Sequence, residues 1–122
     1  MAYISDLVFD SGLSYATTNG TKINICSAEP VNFAGIAAVD LGNDTVVIPS
    51  PEAGAVSGRR VVVPAITAGT VTATNTASFW ALSDGTTTLV ASGTITTPQV
   101  VTSGNTFTLD AISITIPDAT AV

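Results

Sequence analysis

The chain has 122 residues, a length that makes one domain able to bury a sizeable core without a covalent staple. It sets nine acidic residues against Lys22, Arg59 and Arg60, for a net charge of -6, and charged residues make up only 10% of it. That balance excludes the clustered cations on which nucleic-acid binding rests and is repelled by an acidic membrane surface, while the lack of histidine excludes a Ser-His-Asp or Cys-His centre and the common zinc sites.

Along the chain, Ser5 stands where a helix N-cap belongs and Asp6 falls in the favourable first turn. Ile4, Leu7, Val8 and Tyr15 share one helical stripe, which predicts a short amphipathic helix within residues 1–20, ending near Asn19-Gly20 and burying that stripe. "TKINIC", residues 21–26, alternates with Ile23 and Ile25 on one face and Lys22, Asn24 and Cys26 on the other, the pattern of a half-buried strand. Residues 27–58 carry three prolines and several glycines around one short edge strand at Thr45–Ile48. The rest of that stretch reads as a long loop region, either reaching a neighbouring molecule or folding as two surface loops.

From residue 59 to 117 the β pattern is continuous. A strand enters at Arg59-Arg60, runs to Val63 and is limited by Pro64, which cannot donate to a ladder. "GTVTAT" alternates next, and "ASFWALSDGTTTLVASGTI" gives two strands joined at Ser83-Asp84-Gly85-Thr86, a strong hairpin signal. A turn at Ser103-Gly104-Asn105 precedes a last strand that buries Ile112, Ile114 and Ile116. Short strands with regular turn signals and no helices between them predict a single all-β domain over residues 1–122, a β-sandwich or small jelly-roll-like barrel with one short N-terminal helix.

The residues offer little chemistry. The single cysteine, Cys26, excludes an intramolecular disulfide, lacks a basic partner and reads as a small core filler. Asp6, Asp10, Asp40, Asp44, Glu52, Asp84, Asp110 and Asp118 sit near turns and element ends, where turn formation explains them better than a glycosidase pair does. "DLGND" at 40–44 gathers oxygen ligands of the kind calcium takes, but its spacing is not that of an EF-hand and it reads as a solvated turn. No catalytic, cofactor-binding or metal-binding residue is assigned, and no cofactor is expected. Phe79 and Trp80, adjacent in one strand, point to opposite faces, so at least one belongs to the core and the other is covered by the helix or a partner. Arg59 and Arg60 likewise diverge, each needing its own carboxylate, within the chain or across a subunit contact. Arg59, Arg60, Trp80 and Phe33 are the interface candidates.

An N-terminal helix, a strand ending in "CSAEP", a loop leading to "GRRVVVPA", the "GTVTATNTASFWALSDGTTTLVASG" hairpin and the closing "VTSGNTFTLDAISITI" together resemble small virion structural proteins of tailed bacteriophages. The resemblance implies a non-enzymatic head decoration or cement subunit that binds and stabilises the major capsid protein lattice, or else a tail or fibre component. It also implies a symmetric homo-oligomer, a trimer at local three-fold positions, with no nucleic-acid or membrane partner. The N-terminus shows neither a basic n-region nor an unbroken apolar run, so synthesis in a host cytoplasm and residence in the virion are expected. A host-surface or glycan-binding β module is the alternative from a different class.

Overall fold

A computed structural model describes residues 5–117. The described residues are mostly β, 49% strand, with two short helices and a curled six-stranded sheet. In chain order the elements are α1 (Asp6–Asn19), β1 (Lys22–Cys26), α2 (Phe33–Val39), β2 (Asp40–Thr45), β3 (Glu52–Ala53), β4 (Arg59–Val63), β5 (Ile66–Val71), β6 (Asn75–Ser83), β7 (Leu89–Val101), β8 (Thr106–Leu109) and β9 (Ile112–Ile116). One sheet runs β7-β6-β1-β2-β5-β8 and the other β3-β4-β9, with every pairing antiparallel.

The helix α1 forms as expected but buries a different face. Ser5 caps it, its hydroxyl accepting from the Leu7 N–H, and the buried residues are Phe9, Leu13 and Ala16. Of the stripe predicted to face the core, Leu7 is 75% exposed, Val8 61% and Tyr15 49%, while Ile4 lies outside the described residues. The helix packs on β4, and Gly12 brings its backbone close to Ile116 of β9.

Residues 27–58 correct the sequence reading further. Asn32 caps α2 by accepting from the Gly35 N–H at 2.8 Å, and β2 is an interior strand held between β1 and β5 rather than an edge strand. The expected Thr45–Ile48 strand ends at Thr45; Val46 and Ile48 beyond it are still buried. Because α2 covers its outer face, β1 is buried on both sides and not on one. Ile23 and Ile25 enter the main core, while Cys26 joins Ile36 and Ala81 in a second cluster under α2, against which Phe33 and Phe79 pack.

Both sheets and α1 feed one core. Val61 and Val63 of β4 and Ile112, Ile114 and Ile116 of β9 meet Ile23, Ile25, Leu82 and Phe107 from the six-stranded sheet. That sheet curls until its two edge strands approach each other, and the Gln99 amide on β7 donates to the Thr108 carbonyl on β8 at 2.7 Å.

Candidate functional site

Arg59 and Arg60 diverge as adjacent strand residues must, and both partners lie within the chain. Arg59 shares the inward face of β4 with Val61 and Val63, at the end covered by α1. There its Nε donates to Asp10 Oδ1 at 2.8 Å and its Nη2 to Asp10 Oδ2 and the Pro51 carbonyl, each at 3.3 Å. These hydrogen bonds to Asp10, reinforced by its charge, raise the Arg59 pKa above its ordinary value. Arg60, on the outward face, donates to Glu52 Oε2 from Nε at 3.2 Å and from Nη2 at 3.0 Å, and from Nη1 to the Ser113 hydroxyl at 3.3 Å. The pair therefore fastens α1 to β4 on one side and joins β3, β4 and β9 on the other.

Trp80 belongs to the core, 9% exposed, with its indole lying over Gly93, its partner on the neighbouring strand. What remains exposed faces a groove of about 310 Å³ between the two edges of the curled sheet. One wall is the stretch of β7 from Thr94 to Gln99, where the ladder to β6 shifts register and Ile95 turns into the core. The other is Thr108 and Leu109 of β8 with the Asp110-Ala111 link to β9. Phe33 opens α2 and lines a smaller cavity of about 200 Å³ with Lys22, Asn24, Asp40 and Ser83. Arg59 and Trp80 thus serve the fold of this chain first, and Phe33 is half-buried beside α2.

The outward stripe of α1 was missed as a surface by sequence reading. Leu7, Val8 and Tyr15 project from a 14-residue helix whose opposite side is anchored in the core, and Ser11 and Ser14 beside them are exposed and uncharged. Exposed apolar side chains grouped on one element mark interaction surfaces, whereas scattered ones such as Val31, Val56 and Val100 are ordinary.

The polar residues singled out for chemistry settle into structural roles. Cys26 is fully buried, and desolvation, reinforced by the Asp40 charge, pushes its thiol up to about 12. Asp40 Oδ1 accepts from Asn24 Nδ2 and from the Gly42 N–H, both at 3.0 Å, so "DLGND" is a strand with a buried polar tie and not a solvated turn. Among the described residues no group of three or more acidic or cysteine ligands could hold a metal ion. No described helix is long and apolar enough to cross a membrane. Compared with known protein families, with curated proteins and with solved structures, the chain matches none.

Proposed function

We propose that the chain is a non-enzymatic structural protein of a tailed-phage virion, a decoration or cement subunit that binds the major capsid protein lattice. The observation that carries this reading is the outward stripe of α1, where Leu7, Val8 and Tyr15 are held in water by a helix fixed on its other side. Covering such side chains is favourable by about 25 cal/mol per Å² of apolar surface, and a lattice repeats that gain at every copy. The sequence resemblance supports the same role. In this reading the two sheets, which share one core, face each other as a sandwich, and copies associate symmetrically as trimers at local three-fold positions.

The charge pattern favours a foreign partner for the stripe over a second α1. The helix has no basic residue in its last turn and carries Asp6 in its first, so two antiparallel helices would set each acid against the negative end of the other dipole. Heads purified without the protein should take it up to a fixed copy number and resist heating better once decorated. The triple variant Leu7→Ser, Val8→Ser, Tyr15→Ser should stay folded and lose that uptake. Wild-type protein that fails to bind heads, or heads whose stability is indifferent to it, would overturn the reading; labelling confined to tails would move the protein to a tail or fibre.

A further inference from the structure

We infer that the groove between β7 and β8 is a binding site for a neutral saccharide residue, independently of any role on a capsid. Its starting point is the Trp80 indole. The side chain is nine-tenths buried, but among the described residues no buried side-chain nitrogen or oxygen is left unpaired, so the Nε1–H, which no described residue accepts, reaches solvent where the residue borders the groove. An indole N–H open at a groove wall and engaged by no protein acceptor is free to donate to a ligand in place of water.

The surroundings specify what brings it. Thr94 and Thr96 supply hydroxyls that both donate and accept, and the Gln99 amide keeps its oxygen free because its nitrogen is committed to Thr108. Asp110 adds a carboxylate acceptor, whereas Ile95 and Leu109 form apolar surface between the polar groups. A ring bearing hydroxyls at its rim and C–H groups on its faces matches this mixture, and a groove of about 310 Å³ is at the small end of the range for ligand sites. No cation lines the groove and Asp110 repels anions, so the ligand is neutral. An extended peptide is a poorer occupant, because the β7 edge here is broken by a register shift and by Pro98, which lacks a donor.

The chain's single tryptophan makes the test direct, since the indole N–H resonance and the intrinsic fluorescence report on Trp80 alone. Galactose, glucose, N-acetylglucosamine and their short oligomers would be titrated to tens of millimolar, with glucuronate as the anionic counterpart. At least one neutral sugar should move the Trp80 indole resonance saturably while glucuronate does not. Thr96→Val and Asp110→Asn, both at exposed positions, should leave the melting temperature unchanged and each weaken binding about tenfold, the loss of one hydrogen bond. An indole resonance that no neutral sugar moves, or binding that survives both substitutions undiminished, overturns the assignment.

Discussion

Trp80 and Phe107 are placed by the glycines opposite them. In the β6–β7 ladder Trp80 pairs with Gly93, where an added Cβ would stand 2.8 Å from the indole Cζ2. In the β5–β8 ladder Gly69 pairs with Phe107 in the same way, its missing Cβ being the space the ring occupies. Each outer pair of the curled sheet thus lays one large ring flat across its neighbour, which lets the sheet bend inward without a void. Gly93→Ala should therefore cost about 1–3 kcal/mol, the usual penalty for overpacking, and quench-sensitive fluorescence should show the indole displaced. Chemical denaturation measures the first effect. Cys26 gives a second residue-scale prediction. Its thiol is held near 12 in the folded chain against an ordinary value of 9.0, so the unfolded chain gives up its proton first as pH rises. The stability this group contributes is intact below pH 9 and drains away between about 9 and 12. Cys26→Ala should flatten the decline of the unfolding free energy across that window, and a thiol reagent at pH 8 should label wild type only as fast as it unfolds.

At the scale of elements, α1 carries two apolar stripes and only one is anchored. Leu13→Ala should cost about 2–5 kcal/mol, as a deleted core side chain does. Leu7→Ala should change stability by no more than about 0.5 kcal/mol. Thermal melts of the two variants would separate the faces, and equal losses would mean that Leu7 is covered in solution. Sequence reading picked the Leu7–Val8–Tyr15 stripe and not the Phe9–Leu13–Ala16 face that is buried, because the choice is made by β4 and β9, which arrive far later in the chain. The continuous β pattern after residue 59 was legible for the opposite reason: alternation and turn chemistry are local. Where strands break the propensity rules they were missed. β2 reads "DLGNDT", residues that strands usually avoid, and holds its place through pairing on both sides and the Asn24–Asp40 tie. The Asn32 cap was the one local signal for α2, whose seven residues are too few for a helical period to stand out.

The β6–β7 connection shows the same division between local chemistry and context. The Asp-Gly pair was read as a tight turn, but the loop spans residues 84–88, with Gly85 at φ +83°. The Asp84 carboxylate accepts from the backbone N–H groups of Thr88, Thr87 and Thr86 at 2.8–3.0 Å, and these hold its pKa well below the usual carboxylate range. A depressed value means that the unfolded chain takes up the proton first as pH falls. The contribution is therefore complete above the ordinary carboxylate pKa of about 4 and is lost progressively below it. Acid titration of the folded state should show wild type losing more stability from pH 4 downward than Asp84→Ala, with the variant already weaker at neutral pH. Identical acid limbs would mean that the three N–H bonds are not kept in solution.

For the whole molecule the decisive feature is one that no stretch of sequence announces: the two edges of the six-stranded sheet face each other without pairing. Antiparallel edges left open invite association, and this chain blunts them in three ways. β8 is only four residues long, β7 is broken by its register shift and Pro98, and the Gln99 side chain stands in for a ladder bond by donating to the Thr108 carbonyl. The gap that remains is the groove beside Trp80, so the device that prevents edge-to-edge growth also leaves an opening beside the indole. If Gln99 is the clasp, Gln99→Leu should leave β1 and β2, at the centre of the sheet, with unchanged hydrogen-exchange protection while amides of β7 and β8 exchange faster. The same variant should self-associate more readily on concentration, because the uncovered edge carbonyl is then free to pair. Protection that falls uniformly across all six strands would instead show that Gln99 supports the core as a whole, and the seam would have to be closed by packing of Ile95 and Leu109 alone.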